Sequence, residues 1–320
     1  MNFVDVAEAA RQNEFKWAAL PFYKDGEVFQ GHNAGGRDCS QGQKSAAMPK
    51  GFASPNLARP LWGMTLLAAG PMRFRWNETN PNRDQFLSAL CDRYKKEAAV
   101  PLELIHSKIV YEAREAADTF QKQGDAIVTK NSALVPVVTV ADCVPIYFYD
   151  SATGAFGAAH SGWKGTGIAA SVVQMMKEKY GSNPRDILAA IGPHIHDCCY
   201  TVDADRAKYF CDNFGSDCVH EIGQDQEASL AHNGGGLNGL QDQKGGGQKY
   251  ALSLLRANIN VLTGAGVLEE NIVAATNCTA CDARFGSFRR EAAALDVPDQ
   301  DKSRLFTTQA AFVIIEERES

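Results

Sequence analysis

The feature that most constrains this chain is an alternation of apolar strand-like runs and helical patterns in its middle third. Apolar runs at 126–129, 135–150 and 154–159 are followed by a helical pattern at 167–180 and a buried strand pattern at 187–191. The same periodicities predict helices over 203–214 and 251–265 and strands over 272–276 and 306–316. This order of elements predicts an α/β fold with a mixed sheet.

Length and charge narrow the class of protein. The chain has 320 residues, a formal net charge of -6 and a pI near 5.7, which does not favour binding to nucleic acid or to an anionic membrane surface. The N-terminus lacks the pattern of a signal peptide, and no apolar run approaches a membrane span. We therefore expect a cytoplasmic protein whose nine cysteines are reduced.

Two composition shifts divide the chain. Residues 1–70 have no clear periodicity, include a glycine-bearing loop pattern at 31–44, and are predicted to belong to the same single domain as the rest. Residues 71–320 form the predicted catalytic part. Within it, a glycine-rich polar run at 223–248 is predicted to be a mobile surface insertion, because it cannot bury enough apolar surface to fold alone.

Cys143 and His160 stand at the ends of two successive apolar strands and are predicted to meet over one cleft. A thiolate and an imidazole in that position could bind a metal or act as nucleophile and base, whereas a cysteine by itself is typical of a buried small side chain. Asp142 beside Cys143 is a charge at a strand end, where burial without a partner is costly, and is a candidate catalytic residue.

His106 adds a third candidate ligand. Under period-two alternation it lies on a strand face with Leu104 and Lys108. His106, Cys143 and His160 are too far apart in the chain for a local finger knuckle, but three ligands from separate strand ends would leave the open position of a catalytic zinc site.

Two basic segments are candidates for binding an anion. Lys164 and Gly165 precede the helix predicted at 167–180, whose first amides are free donors, although a tight strand-to-helix turn also requires glycines. Arg289 and Arg290 could bind phosphate in a forked geometry or form a solvated pair.

The remaining cysteines suggest less. Segment 189–202 contains two histidines and the vicinal pair Cys198 and Cys199, where a second metal site is conceivable but packing is favoured. Cys278 and Cys281 form half of a zinc ribbon that needs a second half, and Cys211 and Cys218 are spaced wrongly to supply it. Cys278 and Cys281 are therefore predicted to be reduced thiols.

Taken together, the motifs resemble those of the YfiH-type family, first called multicopper polyphenol oxidoreductase or laccase-domain proteins and now regarded as zinc-dependent purine nucleoside phosphorylases. The resemblance runs from about residue 72 to 315. It is carried by six blocks in order: 124–129 (GDAIVT), 141–145 (ADCVP), 159–165 (AHSGWKG), 192–200 (GPHIHDCCY), 278–279 (CT) and 285–290 (FGSFRR).

The resemblance implies a mixed-sheet layered sandwich and a zinc held by His106, Cys143 and His160. It implies phosphorolysis of adenosine, inosine, guanosine and methylthioadenosine, with adenosine deamination as a further activity. Purine nucleosides and phosphate are then the expected partners. Thiolate and imidazole accept copper as well as zinc, so the resemblance does not fix the metal.

Polyphenol oxidation agrees less well with the residues. A multicopper oxidase needs several His-x-His pairs, whereas this chain has seven histidines and a single such pair, His194 and His196. The His-x-Glu and Pro-Cys-x-x-Cys motifs of nucleobase deaminases are also absent.

The chain departs from the family pattern at three places. Leu104 replaces the usual glutamine, Lys164 replaces an arginine, and Ala251-Leu252 replaces the usual Asp-Leu. Two other classes of function stay open: a cysteine hydrolase or deamidase using Cys143 and His160, and a protein of cell-wall precursor quality control.

Overall fold

A computed structural model of the protein describes residues 1–14, 16–22, 59–222, 248–293, 295, 297 and 305–317. The loop expected at 31–44 and residues 223–247 of the expected insertion lie outside the described residues. Among the described helices, none combines the length and the apolar character needed to cross a membrane.

The described residues form fifteen strands and six α-helices. The strands are β1 (Asn2–Val4), β2 (Trp17–Pro21), β3 (Arg59–Thr65), β4 (Ala98–Pro101), β5 (Val110–Glu112), β6 (Ala126–Thr129), β7 (Leu134–Val140), β8 (Val144–Asp150), β9 (Phe156–Ser161), β10 (Ile187–Ile191), β11 (Thr201–Val202), β12 (Val219–Glu221), β13 (Tyr250–Leu252), β14 (Ile272–Ala275) and β15 (Gln309–Glu316). The helices are α1 (Val6–Ala9), α2 (Pro81–Arg93), α3 (Ile168–Tyr180), α4 (Ala204–Phe214), α5 (Leu254–Gly264) and α6 (Phe288–Ala293).

The strands form two large sheets and one small one. The order in the seven-stranded sheet is β1-β14-β10-β8-β9-β6-β5, and in the five-stranded sheet it is β2-β3-β15-β7-β4. Both contain parallel and antiparallel pairs. A third sheet, β11-β13-β12, has three strands. The predicted α/β class with a mixed sheet is confirmed.

Side-chain alternation along β8 shows how the layers stack. Val144, Ile146 and Phe148 pack into a core with α3, α4 and α5, whereas Tyr147 and Tyr149 point into the core between the two large sheets. Each such fully buried side chain stabilises the fold by about 2 kcal/mol. Helix α2 packs on the outer face of the five-stranded sheet. The result is a four-layer sandwich of helices, sheet, sheet and helix.

Two elements differ from the sequence expectation. The helix predicted over 251–265 begins at Leu254, because the Ser253 side chain accepts the amide of Arg256 as an N-cap, and Tyr250–Leu252 instead pairs with β11 and β12. The segment without clear periodicity, 1–70, contributes β1, β2 and β3. These strands pair with partners far away in the chain, as β1 does with β14, so local patterns did not reveal them.

The strand register brings several strand ends to one edge of the seven-stranded sheet. Strands β8 and β9 are antiparallel with Pro145 opposite His160, and β6 and β9 are antiparallel with Ala126 opposite Ala159. The start of β8, the start of β6 and the end of β9 therefore lie together. Cys143 immediately precedes β8, so this edge also contains the candidate ligands.

Candidate metal centre

Three side chains with metal-binding donor atoms converge at this edge. One donor atom each of His106, Cys143 and His160 lies within 4.8 Å of the other two. The two imidazole rings have centroids 4.9 Å apart and are nearly perpendicular, at 83°. His160 is buried, Cys143 is partly exposed and His106 is exposed. The fold thus brings together the three residues that the sequence singled out as candidate ligands.

His106 does not lie on a strand as its alternation pattern predicted. It occupies a bend with a positive φ of 60°. The bend is stabilised by the carboxylate of Asp125, which accepts the backbone N–H of His106 (3.0 Å) and of Ser107 (2.6 Å). Two charge-assisted hydrogen bonds to consecutive amides offset the cost of the left-handed conformation, and local alternation could not predict this turn.

Asp125 is the residue of this site that sequence reasoning missed. Its buried carboxylate lies 2.8 Å from Nδ1 of His160, and its backbone carbonyl accepts the His160 N–H (2.7 Å). With Nδ1 held by the carboxylate, Nε2 is left as the ligand atom, an arrangement common around metal-binding histidines. The signal was present, because Asp125 is an acidic residue next to a buried strand, as Asp142 is.

Gly162 keeps the space between the three side chains open. A Cβ placed on Gly162 would lie 2.9 Å from Cδ2 of His106 and 3.2 Å from Sγ of Cys143. Any larger residue would push into the cluster. Imidazole nitrogen and thiolate sulfur are donor types that catalytic zinc sites use, and three such donors lie within 4.8 Å of one another here.

Cys143 and His160 each stabilise the charged form of the other. Burial alone raises the pKa of the Cys143 thiol, but the charge of His160 and hydrogen bonds from His106 and His160 outweigh it and lower that pKa to about 6. Burial likewise lowers the pKa of His160, but the Cys143 thiolate and the Asp125 carboxylate outweigh it and raise that pKa to about 9. Without a metal, the pair is therefore a thiolate and an imidazolium near neutral pH.

These values predict how metal affinity depends on pH. Zinc binds neutral imidazole and thiolate, so binding releases a proton from His160 below pH about 9 and a second one from Cys143 below pH about 6. Apparent affinity should fall about tenfold per pH unit below pH about 9 and more steeply below pH about 6, where more than one ligand must lose a proton. Competition with a chelator of known affinity measures this, and a flat profile would contradict it.

Asp142 is buried, and each of its carboxylate oxygens accepts a hydrogen bond. Its Oδ1 accepts the Thr279 hydroxyl (2.6 Å), and its Oδ2 accepts the backbone N–H of Arg289 (2.6 Å). Burial raises the pKa of Asp142, and the hydrogen bonds oppose this rise. Like His106, Asp142 has a positive φ, 76°. This geometry favours a positioning role, in which Asp142 holds the loop of Arg289 beside Cys143.

The glycine turn before α3 packs tightly on the loop of His106. A Cβ on Gly165 would lie 2.9 Å from the backbone oxygen of Ser107, and one on Gly167 would lie 2.9 Å from Nζ of Lys108. Lys164 Nζ lies 5.3 Å from the centroid of the Trp163 ring. These glycines therefore serve close packing first, and the turn places Lys164 and the first amides of α3 near the ligand loop.

The two arginines differ in what they bind. Arg289 is buried, with its guanidinium carbon 5.6 Å from the centroid of the Tyr200 ring. The guanidinium of Arg290 donates to a ring of loop carbonyls, namely those of Thr279, Ala280, Asp282 and Phe285. Since these bonds occupy Arg290, Arg289 is the better candidate for a substrate anion.

The amino-acid sequence is similar to those of proteins named as enzymes. The chain is 37% identical over 176 residues to purine nucleoside phosphorylase YlmD of Bacillus subtilis, covering 54% of this chain and 56% of the relative. It is 34% identical over 169 residues to adenosine deaminase RL5 from an unknown prokaryotic organism, covering 52% and 56% respectively. The chain thus spans about half the length of the curated relatives it matches.

The fold and the family agree. The crystal structure of Bacillus licheniformis hypothetical protein YfiH superposes with a TM-score of 0.64 at 24% identity, covering 82% of this chain and 98% of that one. This likeness shows a shared fold. The family model described as multi-copper polyphenol oxidoreductase laccase matches residues 77–295, which is more than half of the chain. The chain belongs to that family, as the motif resemblance indicated.

Proposed function

We propose that the protein is a zinc-dependent purine nucleoside phosphorylase that converts adenosine, inosine, guanosine or methylthioadenosine and phosphate into the free base and a ribose 1-phosphate. The observation that carries the proposal is the convergence of His106, Cys143 and His160, within 4.8 Å of one another, in a chain similar to enzymes named purine nucleoside phosphorylase. Copper is the alternative metal for this donor set.

The three side chains would hold the metal through two imidazole nitrogens and one thiolate. When bound, zinc would supply Lewis-acid chemistry toward a phosphate oxygen or water. Asp125 would keep His160 in the tautomer that binds through Nε2 and would fix the bend of His106. The protein thus supplies an oriented and partly buried site.

Phosphate requires positive charge and amide donors near the ribose carbon that it attacks. Arg289 is the candidate for this contact, assisted by Lys164 and the amide donors that begin at Gly165. Asp142 positions Arg289 by accepting its backbone N–H. Holding phosphate and nucleoside together lowers the entropy cost of their meeting, and the cationic groups balance the negative charge of phosphate. A bond from a phosphate oxygen to C1′ would form as the bond from C1′ to the base breaks.

Arg289→Gln should raise the KM for phosphate by about a hundredfold, because a charge-assisted contact contributes about 3 kcal/mol. Zinc content should not change, since Arg289 is not a ligand. Arg256→Gln, on the exposed side of α5, is the matched control. Initial rates against phosphate concentration measure the effect, and an unchanged KM would assign phosphate binding to other residues.

Adenosine deamination is proposed as a second activity of the same site. The similarity to a relative named adenosine deaminase supports it. Here water would take the place of phosphate and attack C6 of the purine ring, and the C6 amino group would leave as ammonia to give inosine. Phosphate should therefore compete with deamination, and inosine should accumulate when phosphate is left out.

A cysteine hydrolase is the alternative that one observation favours. Cys143, His160 and Asp125 lie in the order nucleophile, base and orienting carboxylate, with Asp125 and His160 2.8 Å apart. His106→Ala separates the two proposals. It removes a metal ligand and should abolish phosphorolysis, whereas hydrolysis by a nucleophilic Cys143 needs no metal and should persist in this variant.

The test of the proposed function uses purified protein with adenosine and phosphate, before and after chelation, with products resolved by chromatography. Adenine should appear only with both metal and phosphate present. Steady turnover would also exclude a cell-wall quality-control role without catalysis. If neither adenine nor inosine forms with zinc bound, the proposed function is wrong.

A further inference from the structure

A second group of metal-binding side chains lies outside the centre described above. It consists of the thiols of Cys198, Cys199, Cys278 and Cys281, whose sulfur atoms all lie within 4.8 Å of one another. The sulfur of Cys281 is 3.2 Å from that of Cys199 and 3.7 Å from that of Cys198. The half ribbon of Cys278 and Cys281 thus has a second half, which the vicinal pair supplies.

The vicinal pair can contribute both sulfurs because it lies in a turn. On a strand, successive side chains point to opposite faces, but residues 197–199 form a turn, and the sulfurs of Cys198 and Cys199 are 3.9 Å apart. Sequence reasoning that favoured packing for this pair did not include that turn.

The spacing of the sulfurs fits a tetrahedral ion. A zinc–sulfur distance of about 2.3 Å places the sulfurs of a tetrahedral site about 3.8 Å apart. The separations among the sulfurs of Cys198, Cys199 and Cys281, 3.2, 3.7 and 3.9 Å, scatter around that value. The sulfur of Cys278 lies within 4.8 Å of these three. Four soft ligands with no open position are typical of structural zinc.

We propose that Cys198, Cys199, Cys278 and Cys281 bind one structural zinc ion that cross-links the loop before β11 to the loop after β14. Contacts between the two loops already surround the cluster. The Thr279 N–H donates to the His194 carbonyl (3.0 Å), and the His196 N–H donates to the sulfur of Cys278 (3.4 Å). An N–H directed at sulfur stabilises thiolate character and is a common feature around thiolate-bound metals.

The two loops that the zinc would join both hold Asp142. The Ile195 N–H donates to the Asp142 carbonyl (3.0 Å), and the Thr279 hydroxyl donates to its carboxylate (2.6 Å). The structural zinc would therefore fix the residue that precedes Cys143. This inference concerns a separate site and does not depend on the proposed reaction.

Metal analysis of the purified full chain tests the proposal. Wild-type protein should contain about two zinc ions per chain, one for each cluster. Cys198→Ser and Cys281→Ser should each lower the content to about one, while Cys211→Ser, a thiol outside the cluster, should leave it at about two. His106→Ala should also lose one ion but keep the absorption bands of tetrahedral four-thiolate cobalt after cobalt replacement, which Cys281→Ser should lose.

The outcomes distinguish the two sites. If the content is about one ion, lost in Cys281→Ser but not in His106→Ala, the structural site stands and the proposed catalytic centre fails. If the serine variants do not fold, alkylation of native wild-type protein replaces them, and zinc should protect all four cysteines. Unprotected thiols, zinc content unchanged by either serine variant, or disulfides among the four in place of zinc would overturn the proposal.

Discussion

Cys143→Ser is expected to remove the metal from the His106–Cys143–His160 centre and to lower kcat/KM for adenosine phosphorolysis by about a thousandfold or more. A serine hydroxyl stays protonated at neutral pH and is a poor ligand for zinc, whereas the Cys143 thiol has its pKa lowered to about 6 by its histidine neighbours in spite of burial. Loss of a Lewis acid removes several kcal/mol of transition-state stabilisation.

Metal content and initial rates should be measured on the same preparation. Cys211→Ser is the matched control, since Cys211 lies on α4 outside both cysteine-containing clusters. Its zinc content and rate should equal those of the wild type. A Cys143→Ser protein that retains both zinc at this centre and full phosphorolysis would show that Cys143 is neither ligand nor nucleophile.

Asp125→Asn is expected to weaken zinc affinity by about ten- to a hundredfold and to destabilise the fold by about 3 kcal/mol. The carboxylate accepts hydrogen bonds from three groups of one loop, the amides of His106 and Ser107 and the Ser107 hydroxyl, and it also binds Nδ1 of His160. An asparagine amide has only one acceptor oxygen, so its NH2 group must face a donor. Either the bend of His106 or the orientation of His160 is then lost.

Chelator competition measures the affinity, and urea unfolding of the metal-free protein measures the stability. Asp203→Asn is a suitable control, because Asp203 also accepts a backbone N–H, as the N-cap of α4, and asparagine caps helices equally well. The control should change stability by less than about 0.5 kcal/mol. Wild-type zinc affinity in Asp125→Asn would show that Asp125 does not orient the ligands.

The sequence predicted best those elements whose apolar pattern and bounding turn residues lie within one short segment of the chain. Strands β6 and β10 match the predicted runs at 126–129 and 187–191, and α3 begins within one residue of its prediction. All three are buried elements bounded by turn residues. Strands β1 and β2 are short, and they form by pairing with strands that are distant in the chain. The residues around each of them therefore do not predict a strand.

The candidate site likewise has residues that local sequence predicts and residues that depend on distant contacts. Cys143 and His160 were predictable, because each stands at the end of an apolar run. The bend of His106 depends on a carboxylate nineteen residues later, and the alternation around it predicts a strand instead. The grouping of Cys198 with Cys281 depends on two loops that only the folded sheet brings together.

Solvent exposure increases across the three candidate ligands, from buried His160 through partly exposed Cys143 to exposed His106. Solvent, substrate and competing chelators therefore reach the centre from the His106 side. Exchange of the metal should begin with the imidazole of His106 and end at buried His160. The lifetime of the bound metal would then depend more on the stability of the bend that holds His106 than on the strength of the bond between the metal and the Cys143 sulfur.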